Sequence, residues 1–80
     1  GQPAVVAEAV EIQAQMPGVV QSLSVKVGDR VTSGQTVLVL EAMKMQVQIG
    51  APAAGRLQSF SVEPGNQVTT GQVLAHLEAI

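Results

Sequence analysis

Hydrophobic and polar positions alternate in short runs along this chain. Met45, Val47 and Ile49 interleave with Gln46 and Gln48, the period-two pattern of a strand with one face buried. Other short runs rich in Val, Leu and Thr lie between Gly28-Asp29, Ser33-Gly34, Gly65-Asn66 and Thr70-Gly71, dipeptides that mark tight turns. No segment carries a capped stripe of apolar residues at helical spacing. The pattern predicts an all-β chain of short strands joined by tight turns.

The chain also repeats itself. Shifted by 37 positions, residues 18–43 lie over residues 55–80 without a gap, and 13 of the 26 positions are identical: Gly18, Gln21, Ser22, Ser24, Val25, Gly28, Val31, Thr32, Gly34, Gln35, Leu40, Glu41 and Ala42. Matched glycines imply matched turns, since glycine tolerates positive φ. The repeat also assigns faces within Thr36–Ala42. Leu40 matches Leu77, whereas Val39 matches His76 and Glu41 matches Glu78, so Leu38, Leu40 and Ala42 point inward and Val39 and Glu41 outward. About four strands per half, with aliphatic inward faces, close most simply as two four-stranded sheets packed face to face about a pseudo-two-fold axis. The join between the halves then falls at Met43-Lys44-Met45, at the end of the domain opposite the termini. Residues 1–9 lack both a repeat partner and turn logic, and are expected to form a linker or disordered tail ahead of a domain at 10–80.

Composition narrows the chemistry. At 80 residues the chain is one small domain able to bury roughly 60% of its unfolded surface. Apolar residues make up 46%, yet Phe60 is the single aromatic, so the core must be aliphatic. Lys26, Arg30, Lys44 and Arg56 against Glu8, Glu11, Asp29, Glu41, Glu63 and Glu78 give 4 − 6 = −2. With neither a basic patch nor aromatic stacking platforms, nucleic acid is excluded as a partner. Cysteine is absent, which removes disulfides and thiolate metal sites. His76, the only histidine, has no acid, serine or second histidine patterned around it and reads as a surface strand residue. No apolar run approaches the length of about 20 residues that spans a bilayer, and no signal peptide opens the chain, so no membrane insertion is expected. The chain starts with Gly1 rather than Met and reads as a piece of something longer, set in the cytoplasm or, in a eukaryote, the mitochondrial matrix.

Lys44 is the residue to weigh. A hairpin lysine is ordinarily a solvated charge that discourages edge pairing. Its neighbours here are Met43 and Met45, where Gly, Asn or Asp would be the usual choice. Two flexible thioethers at an exposed tip suit a surface read by a partner protein. The six acids read as solvated surface, Glu41 excepted, and no general base or nucleophile set stands out.

Glu41-Ala42-Met43-Lys44-Met45 resembles the attachment motif of biotinyl domains, the carriers of biotin-dependent carboxylases, decarboxylases and transcarboxylases. The resemblance runs from about Ile12 to Ile80 and includes Met16-Pro17-Gly18, Ala51-Pro52 and the paired Gly-Asp/Asn and Gly-Gln turns. It implies a flattened β-barrel or sandwich, a barrel-sandwich hybrid, with Lys44 on the hairpin between the fourth and fifth strands. It implies that a biotin protein ligase joins biotin to the ε-amine of Lys44, reading Glu41, Ala42, Met43 and Met45. The attached group would then move a carboxyl group between biotin carboxylase and carboxyltransferase domains or subunits, the carrier itself being no enzyme. Glu78 holds the same kind of position as Glu41 with no lysine beside it, so a plain exposed strand residue is the other reading of Glu41. Gln15, Ala53-Ala54 and Gln46 depart from the family pattern, and Gln46 bears on how efficiently a ligase would act. The gapless repeat leaves no room for the protruding thumb of some biotinyl domains, which favours the thumbless type. The alternative is a lipoyl domain of a 2-oxoacid dehydrogenase complex, which shares the fold but usually carries Asp-Lys-Ala at this hairpin.

Overall fold

The computed structural model describes residues 8–80, and among them all regular structure is β. Strands β1 (Glu8–Gln13), β2 (Gly18–Leu23), β3 (Arg30–Val31) and β4 (Thr36–Ala42) form one half; β5 (Met45–Gly50), β6 (Gly55–Phe60), β7 (Gln67–Val68) and β8 (Val73–Ala79) form the other. Each strand of the first half maps onto one of the second when shifted by the 37-residue repeat. The sheets are antiparallel and four-stranded, with orders β1-β8-β6-β3 and β5-β4-β2-β7. Each sheet therefore takes two strands from each half, and neither half forms a sheet alone.

The repeat extends further than the sequence shows. β1 is the counterpart of β5, although only Val10/Val47 and Ile12/Ile49 match between them. β1 begins at Glu8, paired with Ala79, and Ala9 pairs with Glu78, so the strand starts two residues before the expected boundary at residue 10. The expected tail otherwise falls on residues 1–7, outside the described residues.

Seven side chains are fully buried: Leu38, Leu40, Leu57, Leu74, Leu77, Val20 and Val37. Ile12, Val31, Ile49, Val62, Val68 and several alanines complete the core, with Phe60 packed at its margin. The described residues bury no polar or charged side chain. Leu38, Leu40 and Ala42 face inward while Glu41 is exposed and Val39 half-buried, as the repeat implies. Val37 breaks the alternation. The pairing of β4 with β5 steps from Thr36↔Gly50 to Leu38↔Ile49, which leaves Val37 as the extra residue of a β-bulge, turned into the core. Its counterpart Leu74 is left over in the same way between Gln13↔Val73 and Ile12↔Ala75. A bulge bends its strand and increases the local twist. Here a symmetric pair of bulges adds a Leu and a Val to the core where the sheets curl towards each other.

The turns are duplicated to the level of single hydrogen bonds. Gly28 and Gly65 have φ of 95° and 97°, Gly34 and Gly71 of 85° and 84°. The Asp29 carboxylate accepts from the Lys26 N–H, and the Asn66 side-chain oxygen accepts from the Glu63 N–H in the same geometry, both at 2.9 Å. That is why Asp and Asn interchange in the repeat: the turn needs only an oxygen acceptor. Gln35 and Gln72 accept likewise from the Thr32 and Thr69 N–H groups. Gly18 and Gly55 match for another reason. Neither has positive φ; a Cβ at Gly18 would lie 2.7 Å from the Glu41 carbonyl oxygen, and one at Gly55 would collide with that of Glu78. These glycines mark close strand approach, not turns.

Hydrogen bonds also locate the two ends of the domain. The Ile80 N–H donates to the Ala54 carbonyl, in the connection after β5, and Gly34 and Ala51 bind each other's neighbourhood through Gly34 N–H to Ala51 O and Ala51 N–H to Gln35 O. The C-terminus thus sits at the base of the β4–β5 hairpin. Six residue steps along β4, about 20 Å at the usual strand rise, separate that base from the tip. The join and the C-terminus lie at opposite ends, as the pseudo-symmetry requires.

Two substitutions test this packing by urea denaturation. Leu40→Ala and Leu77→Ala should each lower stability by about 2–5 kcal/mol, since each removes a fully buried side chain from the same core. Gly55→Ala should cost about 1–3 kcal/mol although it adds only a methyl group, because the atom it meets is backbone.

Candidate functional site

The β4–β5 hairpin turns over two residues. Ala42 pairs with Met45, and Met43 and Lys44 form the loop with φ of 51° and 65°. Positive φ at both central positions is the signature of a type I′ turn, whose twist matches the flanking strands and whose usual residues are Asn-Gly. A side chain at positive φ costs roughly 1–2 kcal/mol. Among the described residues Met43 and Lys44 are the only non-glycine positions with positive φ. The turn holds a long amine-bearing side chain where local preference asks for none.

Burial along the hairpin falls off towards the tip: Ile49 is buried, Val47 half-buried, Met45 66% exposed and Met43 94% exposed. Lys44 is exposed, and no carboxylate of the described residues lies within ion-pair distance of its amine. Of the residues expected at the site, Met43, Lys44 and Met45 form the accessible tip. Glu41 is exposed on the outer sheet face between Gln46 of β5 and Val19 of β2. Ala42 is turned inward, with Gly18 approaching closely enough that a Cβ there would be 3.3 Å from the Ala42 Cβ. What Ala42 contributes to the motif is therefore its small size, which lets β2 and β4 come together beneath the turn.

Sequence reasoning passed over Val19 and met Met16 only as part of Met16-Pro17-Gly18. Val19 is 37% exposed and directly opposite Glu41; Met16, equally exposed, lies in the segment that leads into Gly18. The repeat counterpart of Val19 is Arg56, so Val19 could have been found as a break in the repeat. The expectation that His76 has neither acid nor serine near it is overturned. Sheet register sets Glu11 on one side of it and Ser59 on the other, with Nε2 3.8 Å from Glu11 Oε2 and Nδ1 3.3 Å from Ser59 Oγ. These partners are remote in sequence and only strand pairing brings them together. The trio lies on β1, β6 and β8, in the other sheet from Lys44. Among the described residues no three His, Asp or Glu side chains converge as metal ligands.

A rigid duplicated sandwich that presents one lysine on a strained, exposed hairpin is the architecture of a carrier. The family model described as "Biotin-requiring enzyme" matches residues 10–77, and the chain belongs to that family. It is similar to the gamma subunit of glutaconyl-CoA decarboxylase from Acidaminococcus fermentans, 51% identical over 43 residues, which make up 54% of this chain and 30% of that one. It is 61% identical over 36 residues to the 1.3S subunit of methylmalonyl-CoA carboxyltransferase from Propionibacterium freudenreichii subsp. shermanii, covering 45% of this chain and 29% of that subunit. Against the human mitochondrial propionyl-CoA carboxylase alpha chain the figures are 57% over 35 residues, 44% and 5%. The matched segments are thus less than a third of these relatives. Among solved structures, a single-chain, multi-domain long-chain acyl-CoA carboxylase superposes with a TM-score of 0.85 at 31% identity, covering 100% of this chain and 8% of that one. The β2–β3 and β6–β7 connections, 24–29 and 61–66, are equal in length, so no thumb interrupts the first half.

The strain at the turn can be measured. Lys44→Gly should raise stability by about 1 kcal/mol in thermal or urea unfolding, whereas Lys44→Ala, which keeps a Cβ at positive φ and loses almost no packing, should stay within about 0.5 kcal/mol of the parent.

Proposed function

We propose that the chain is a biotin carboxyl carrier domain whose Lys44 is acylated by a biotin protein ligase. The observation that carries this reading is the placement of Lys44: exposed, without an ion-pair partner among the described residues, and held at positive φ between two exposed methionines at the end of the domain away from the C-terminus. Family membership supports biotin as the group attached.

The residues present fit that attachment. The ε-amine, once deprotonated, would attack the carbonyl carbon of biotin's activated carboxyl group. The amide C–N bond would form as the bond to the activating group breaks; the activating group and a proton would leave, and the ammonium charge would be lost. That changes the formal charge from −2 to 3 − 6 = −3. Once bound, the group supplies a ureido ring able to take up and release a carboxyl group. The chain's own part is mechanical. The core fixes β4 and β5, and Met43, Lys44 and Met45 at the tip are exposed, so the arm is not buried where it leaves the domain. Motion is thus confined to the arm. A tethered group meets successive active sites at high effective concentration instead of diffusing away. The proposed partners are biotin carboxylase and carboxyltransferase domains or subunits, in keeping with the carboxylase, carboxyltransferase and decarboxylase names of the relatives. The proposed setting is the cytoplasm, or the mitochondrial matrix in a eukaryote.

Incubation with a biotin protein ligase, biotin and ATP, followed by intact mass measurement, should show one biotinyl group, mapped to Lys44 by peptide analysis. Lys44→Arg should show none. Biotin on Lys26 instead would sink the assignment.

Specificity for biotin over lipoate should reside in the flanking methionines, which are the accessible part of the motif. Met43→Asp with Met45→Ala should slow biotinylation, by roughly tenfold if one buried apolar contact with the ligase is lost. Acylation of that double variant at the parent rate would show that the ligase reads something else.

A further inference from the structure

All three methionines of the chain gather at one end of the sandwich. Met43 and Met45 flank Lys44 at 94% and 66% exposure, and Met16, at 37%, lies in the segment that enters β2 beside Ala42. The core contains no methionine, and the sequence has no Cys, Trp or Tyr. Thioethers are therefore the side chains of this chain most open to two-electron oxidation, and the most exposed of them sit against the lysine. Because Met43 is almost fully exposed, its chemical state is uncoupled from the stability of the fold.

We propose that Met43 and Met45 are an oxidation site that controls acylation of Lys44, an inference that rests on reading Lys44 as the attachment residue. The modifier is a peroxide-class oxidant. The sulfur lone pair attacks one peroxide oxygen, the S–O bond forms as the O–O bond breaks, and the proton on the transferred oxygen passes to the departing hydroxide. One thioether and one hydrogen peroxide give one sulfoxide and one water; sulfur loses two electrons and the peroxide gains them. A sulfoxide is polar and a strong hydrogen-bond acceptor, so a flexible apolar flank on each side of the lysine becomes one that resists burial against a partner. Methionine sulfoxide reductases reverse the change, which makes it a modification and not merely damage. The exposures set the order in which the three should react: Met43, then Met45, then Met16.

The test treats the unacylated protein with graded hydrogen peroxide, maps sulfoxides by peptide mass analysis, and then measures the ligase rate and the melting temperature. Protein oxidised at Met43 and Met45 should be acylated roughly tenfold more slowly or worse, with its melting temperature unmoved, and reductase treatment should restore the rate. In the variant Met43→Leu with Met45→Leu, peroxide should leave that variant's own rate unchanged. Acylation of the hairpin-oxidised protein at the untreated rate would overturn the proposal. So would a loss of rate in the leucine variant as large as in the parent, which would point to Met16 or His76. Failure of the untreated protein to be acylated on Lys44 would instead overturn the attachment reading and this proposal with it, so the two failures are distinguishable.

Discussion

The structure depends on one shared aliphatic core that neither half of the chain can form alone. Leu38, Leu40, Val37 and Val20 come from the first half, Leu57, Leu74 and Leu77 from the second, and all are fully buried. Because each sheet draws two strands from each half, burying these side chains fixes both sheets and their mutual orientation together. With no buried polar side chain among the described residues to demand a specific partner, register is set by the alternation of faces and by the paired bulges. A domain of this size has a margin of only about 5–15 kcal/mol, so truncating a single one of these side chains, at about 2–5 kcal/mol, removes a large part of it.

The hairpin that carries Lys44 is free because the core ends beneath it. Ile49 and Leu40 anchor β5 and β4, Ala42 and Gly18 seal the sandwich just below the turn, and nothing beyond Ala42 on this hairpin is buried. The pseudo-symmetry explains why the hairpin lies there. Two-fold duplication creates two equivalent joins between halves. At one the chain continues, as Met43-Lys44-Met45; at the other lie Ile80 and the start of β1, where Glu8 pairs with Ala79. At the first join both strands of the hairpin are anchored in the core, so the surrounding structure can hold the positive φ of Met43 and Lys44.

Much of this was legible in the sequence because the repeat supplied a second copy of each decision. The all-β class, two stacked sheets, inward Leu38 and Leu40, outward Glu41 and the singular position of Lys44 all follow from overlaying the halves. What was hidden falls into two physical kinds. Some features are non-local: Glu11 and Ser59 meet His76 only through strand pairing, and β1 matches β5 at only two positions, too few to see without coordinates. Others concern how a residue is used. Gly18 and Gly55 look like turn glycines yet relieve close strand approach, and Val37 looks outward by alternation until a bulge turns it inward. Ala42, read as part of a recognition surface, is buried, so its place in the motif comes from packing.

The duplication is also an internal control for what the tip requires beyond the fold. One row across the second sheet runs Gln46, Glu41, Val19, Gln67; its counterpart across the first runs Ala9, Glu78, Arg56, Arg30. The backbone is the same and the glutamate is kept, but the cations are not. Arg30 and Arg56 stand directly opposite each other, a like-charge pairing that costs roughly 0.2–1 kcal/mol, and the domain accepts it at the end near Ile80. The row beside Lys44 carries Val19 and Gln67 at those positions, so the backbone itself imposes no need for charge there. Lys26 and its turn partner Asp29 belong to the loop bonded to Leu57 of the first sheet, which leaves Lys44 the one cation of the tip. Acylation would remove it. The hairpin and the row beside it would then present Met43, Met45, Val19, Gln46, Gln67 and the Glu41 carboxylate, a surface that a partner could cover without stripping water from a positive charge.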